Sequence, residues 1–96
     1  MKIFIKDIVS DTYSNASGYQ LYLALKSDLR DGKVIYLSFL GASSPSTSFL
    51  NSSFGTLIDD MGLENFLAHV KPAEVTLTQA SMLKHYIQGF RSGAKA

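Results

Sequence analysis

The residues best suited to chemistry in this chain are hydroxyls: Ser43, Ser44, Ser46, Thr47 and Ser48 crowd around Pro45, immediately ahead of an apolar-striped segment. A helix amino terminus leaves backbone N–H groups unsatisfied and carries partial positive charge, so a hydroxyl there caps the helix and a phosphate is well accommodated. Thr47 and Ser48 have the right chemistry for both. A phosphoryl group would add about −1.5 to −2 charge to neutral hydroxyls, enough to repel a docked partner or recruit an arginine. The ordinary role of Ser and Thr at such a place is capping and turn formation.

Other constellations carry less. Ser81-Met82-Leu83-Lys84 has the Ser-x-x-Lys spacing of some acyl-transfer nucleophiles, but no Ser-Asp-Asn or Lys-Thr-Gly companion occurs. His69 and His85 stand 16 positions apart with no carboxylates in a ligand pattern, so no metal site is expected. Gly41-Ala42-Ser43-Ser44-Pro45 lacks the Gly-Lys-Ser/Thr ending of a phosphate loop. Asn15-Ala16-Ser17 and Asn51-Ser52-Ser53 match the glycosylation sequon. Met1 to Val9 mixes Lys2, Lys6 and Asp7 with apolar residues and has no signal core, so a cytoplasmic location is expected and the sequons go unused.

Bulk properties narrow the function class. At 96 residues there is room for one core, and 46% hydrophobic with 18% charged residues marks a globule. The net charge of +1, with cations and anions dispersed, lacks the broad field that draws nucleic acid or anionic membranes, so neither partner is expected. Cysteine is absent, which removes disulfides, thiolate metal sites and cysteine nucleophiles together. No window approaches the roughly 18 apolar residues of a spanning helix.

The elements that must hold the hydroxyls follow from periodicity. Met1 to Val9 reads as a first strand around Ile3, Ile5 and Val9, and Asp11 to Ser17 as a loop. Leu21, Tyr22, Leu25 and Leu29 form a helical stripe, with Ser17 as the expected cap and Asp31-Gly32 as the stop. Lys33 to Phe39 is a nearly continuous apolar run, expected as a central strand covered on both faces. After the loop from Leu40 to Thr47, a second helix carries Leu50, Phe54, Leu57, Ile58 and Met61 inward and closes at Gly62. Leu63 to Val70 predicts a short helical turn ended by Pro72, Ala73 to Leu77 a third strand, and Thr76 or Thr78 the cap of a last helix with Ala80, Leu83, Ile87 and Phe90 inward. Alternating strands and helices imply a small α/β sheet, mainly parallel, with crossover helices. One domain is expected over residues 1–90, followed by a flexible tail over 91–96. Such sheets bind at the carboxyl ends of their strands, which here means Ser10 to Ser17 and Leu40 to Thr47. Tyr13 is expected to fold back on the domain.

The run Val34 to Phe39, then Leu40-Gly41-Ala42, then the serine-rich turn into Ser48-Phe49-Leu50 and Phe54-Gly55-Thr56-Leu57, resembles the STAS-like domains related to anti-sigma-factor antagonists. Asp7-Ile8-Val9 and Ser17-Gly18 are similar to that family too, and the likeness spans about residues 1–80. The resemblance implies a protein-interaction switch that docks on a histidine-kinase-type ATPase or anti-sigma-like protein, with no catalysis of its own and no cofactor. It implies phosphorylation at the start of the second helix, where the antagonists carry an Asp-Ser-Ser-Gly turn. That turn falls on Ser46, Thr47, Ser48 and Phe49: the hydroxyls are kept, the acid is Ser46 and the glycine is Phe49. The expected partner surface is Ser44, Ser46, Thr47, Ser48, Phe49, Asn51 and Ser52, with Phe49 either filling the core or offering an anchor. The alternative is a small-anion or nucleotide binder at the same helix terminus.

Overall fold

A computed structural model describes residues 1–91. Three strands, β1 (Lys2–Phe4), β2 (Ile35–Ser38) and β3 (Val70–Ala73), form an all-parallel sheet in the order β1-β2-β3. The helices are α1 (Asn15–Arg30), α2 (Thr47–Leu50), α3 (Thr56–Met61), α4 (Leu63–His69) and α5 (Leu77–Arg91). A π-helical turn, Asn51–Gly55, joins α2 to α3 in one run. The expected tail keeps only Arg91 among the described residues, as the last residue of α5; 92–96 lie outside them.

This is the expected α/β architecture, and the strand order explains where expectation and structure part. Two crossovers of one hand that step the same way across a sheet leave their helices on one face. Ile35 and Leu37 point into that face and are fully buried with Leu21, Leu25, Phe54 and Leu57. Tyr36 points the other way and is 50% exposed, in one row with Lys2 and Lys71. The central strand is thus covered on one face, not two; β-branched and aromatic residues made its open side look apolar.

The first strand is also shorter than expected. After Phe4 the chain turns through a 3-10 segment, Ile5–Asp7, and the amides of Ile8 and Val9 both donate to Ile5 O, at 2.9 and 3.1 Å. The third strand comes earlier, at Val70 to Ala73, and includes Pro72. It tolerates proline because β3 is an edge: Ala73 O accepts from Phe39 N at 2.9 Å, so the alternate residue Pro72 turns its missing donor away from β2. Thr76 caps α5 through a reciprocal box, Gln79 N to Thr76 Oγ1 at 3.1 Å and Thr76 N to Gln79 Oε1 at 2.9 Å. Leu83 is buried as expected, whereas Ala80 is exposed and Gln79 takes the inward place.

Candidate functional site

The hydroxyl-rich turn sits on the rim where β1 and β2 end. Ser46 is the cap of α2: its Oγ accepts from Phe49 N at 3.1 Å, and its O accepts from Leu50 N at 3.0 Å. The same Oγ donates to Tyr13 O at 2.8 Å, and Ser46 N donates to Thr12 O at 2.9 Å. Thr12 returns a bond from Oγ1 to Ser43 O at 3.1 Å. The Ser10–Ser17 and Leu40–Thr47 segments expected to share this edge are therefore laced together.

Two further clamps fix the turn. Gln79 Nε2 donates to Ala42 O at 2.9 Å from the start of α5, and Pro45 is buried. On the α1 side, Asp11 Oδ1 accepts from Tyr13 N at 3.0 Å and Ser14 N at 2.9 Å, while Ser14 Oγ accepts from Ser17 N at 3.1 Å. Ser14, not Ser17, is thus the cap of α1, and Ser17 is buried in its first turn.

This clamping leaves Thr47 and Ser48 presented. Both are exposed, and among the described residues neither their hydroxyls nor their backbone amides have a hydrogen-bond partner. Ser44 and Asn51 are exposed, and Ser46 and Ser52 are half-buried. Ser52 Oγ donates to Asn15 Oδ1 at 3.1 Å, and Asn51 Oδ1 accepts from Tyr86 OH at 2.9 Å. Burial and the charge of Asp59 push the Tyr86 hydroxyl up to about 12, so it remains a donor at neutral pH. Phe49 leaves the surface set: its side chain is fully buried, and it serves the core. Tyr13 is also corrected, because it is 70% exposed beside the turn while only its backbone is engaged.

Sequence reasoning missed the π turn and its two glycine contacts. Ser53 is fully buried there, and its Oγ donates to Phe49 O at 2.7 Å. Gly18 brings α1 against that same carbonyl. Gly55 leaves room for Tyr86, whose hydroxyl would lie 2.8 Å from an added Cβ. A glycine inside a helical stripe was the available signal, since it costs helix stability unless something approaches closely.

The remaining candidates have ordinary surroundings. His69 Nδ1 lies 2.8 Å from Asn65 O, and Ser81 and Lys84 are exposed along α5. A depression of about 110 Å³ at the rim, lined by Lys6, Asp11, Thr12 and Gly41, is well below the roughly 300–1,000 Å³ of small-molecule pockets. Among the described residues no helix is long and apolar enough to cross a membrane.

Acid should loosen this end of the molecule first. Asp11 is held below its ordinary 3.8 chiefly by the Ser14 amide. Glu74, which follows β3 and accepts from Ser38 Oγ, is held below 4.5 first by Lys2 at 2.8 Å and then by Ser38. Both carboxyls titrate lower folded than unfolded, so their stabilisation is complete above those ordinary values and is lost as pH falls through the folded ones. Urea unfolding at stepped pH is expected to show stability declining below about pH 4.5, with Asp11→Asn flattening the decline. An unchanged slope in Asp11→Asn would remove this role.

The geometry defines a class first: a small two-layered α/β domain, a parallel sheet with helices on one face, with a hydroxyl-bearing helix start tied down at its rim. The family profile described as STAS-like domain of unknown function (DUF4325) matches residues 17–80, so the chain belongs to that family. No curated protein and no solved structure gives a significant match.

Proposed function

We propose that this chain is a cytoplasmic protein-interaction module that regulates a histidine-kinase-type ATPase or anti-sigma-like protein and catalyses nothing itself. The partner docks on the turn and first helical turn at Ser44, Ser46, Thr47, Ser48, Asn51 and Ser52, with Tyr13 as an aromatic anchor. The carrying observation is the pair of exposed hydroxyls at Thr47 and Ser48, each beside an unoccupied amide, on a turn clamped by Thr12, Tyr13 and Gln79. A rigid presented surface loses little entropy on docking. Phosphorylation of Thr47 or Ser48 would place about −2 charge in the middle of that surface and release the partner.

Binding to a purified ATPase of the histidine-kinase type tests this reading. Thr47→Glu and Ser48→Glu are each expected to weaken binding by at least roughly tenfold, the scale of a charged group desolvated without a partner. Equal binding by both variants would move the docking face elsewhere. Intact-mass measurement after incubation with ATP and that partner is expected to show one phosphoryl group, lost in Thr47→Ala/Ser48→Ala. Saturable thermal stabilisation by free phosphate or ATP alone would instead favour an anion site at the same amides.

A further inference from the structure

The ends of α1 and α3 far from the rim flank a second feature, a half-open cleft of about 330 Å³. Its apolar lining is Leu29, Leu57 and Met61. One wall is Tyr22, whose hydroxyl donates to Asp60 Oδ2 across the gap between the helices. Lys26 and Arg30 complete the lining one turn apart on α1, and among the described residues neither is ion-paired. Lys26 Nζ stands 5.5 Å from the centroid of the Tyr22 ring.

We infer that this cleft binds a small organic anion, a carboxylate or phosphate monoester on a single-ring or short-chain apolar body. Lys26 and Arg30 meet the charge, and Leu29, Leu57 and Met61 receive the apolar part. Two cations face one carboxylate in the lining, and Asp60 is already turned to the phenol, so the site is short of one negative charge. Arginine presents a planar fork that matches a carboxylate or phosphate with two hydrogen bonds. The Tyr22 hydroxyl, raised above its ordinary value mainly by its bond to Asp60, stays protonated and keeps that wall closed. The volume lies at the lower end of small-molecule pockets, which suits a ring with one acid group. This site is independent of the rim, which is built from the opposite ends of the helices.

The test is an NMR titration of the whole chain with phenyl phosphate and phenylacetate, beside inorganic phosphate and benzyl alcohol. At least one aryl anion is expected to give saturable shifts centred on Lys26, Arg30, Leu57 and Met61. Inorganic phosphate and benzyl alcohol, each lacking half of the recognised chemistry, should bind roughly tenfold or more weakly. Lys26→Gln/Arg30→Gln should weaken the aryl anion by a similar factor, while Ser48→Glu should leave it unchanged. If the double variant does not fold, Arg30→Gln alone, at an exposed position, carries the comparison. Absence of saturation, equal binding of inorganic phosphate, or full affinity without the cations would each overturn the site. The last result would leave the cations only the task of offsetting the negative end of α1.

Discussion

Phe49→Ala is expected to lower the stability by about 3–5 kcal/mol, measured by urea unfolding of the purified chain. The ring is fully buried among the core residues although it stands in the first turn of α2, two positions after Thr47. Deleting it removes the transfer free energy of an aromatic ring and leaves a cavity that the turn, tied to Thr12 and Tyr13, cannot collapse to fill. With total stability of about 5–15 kcal/mol expected for such a domain, this single change can remove half of it. Phe49→Leu, which keeps most of the volume, should cost less than about 1.5 kcal/mol. A small loss in Phe49→Ala with an unchanged m-value would mean that the ring is not the inner support of the turn.

The second large effect concerns Gly18. A Cβ added there would meet Phe49 O and would lie 2.9 Å from Ser52 Cβ. The first obstacle is backbone, and it already accepts from Ser53 Oγ, so α1 and α2 would have to separate. Overpacking of this kind costs up to about 3 kcal/mol. The helix preference of alanine over glycine returns about 1 kcal/mol. Gly18→Ala should therefore lose about 2 kcal/mol net, and at about 4–8 °C per kcal/mol its melting temperature should fall by about 8–16 °C. Gly89→Ala is the contrast: no described atom lies within 4 Å of its added Cβ, so it should be neutral or gain up to about 1 kcal/mol. If the two variants melt alike, α1 and α2 are not in this close contact.

These two residues show how far the sequence could be read. Apolar spacing gave the stripe of α1, with Leu21, Leu25 and Leu29 buried, and the stripe of the second helical run, with Leu50, Phe54, Leu57 and Ile58 buried. Periodicity reports which side of a helix is buried, and it did so correctly there. It does not report which partner lies opposite, so the Gly18 approach to Phe49 O stayed hidden. Caps were legible only by residue type: Ser14 and Ser17 are chemically alike, and the choice between them rests on Asp11, which fixes the backbone and hydroxyl of Ser14. Coverage was misread where composition was apolar without being doubly covered, as at Tyr36, and a strand limit was misplaced where an edge accepted proline, as at Pro72. The hydroxyl turn was found because its residue types are unusual as a group. Which hydroxyl caps and which two face outward depended on loop-to-loop hydrogen bonds no local pattern encodes.

The functional reading rests on that division of labour. Ser46 is spent inward on Phe49 N and Tyr13 O, which leaves Thr47 and Ser48 outward with their amides. Tyr13, 70% exposed, adds apolar area at the same edge, and aromatic side chains are frequent anchors in protein interfaces.

Hydrogen–deuterium exchange of the chain alone and saturated with the histidine-kinase-type ATPase reads the docking face directly. Slowed exchange confined to residues 12–15 and 44–52 is the expected result. Unaltered exchange over both segments, with protection on the open sheet face around Tyr36 or at the cleft between α1 and α3, would contradict it.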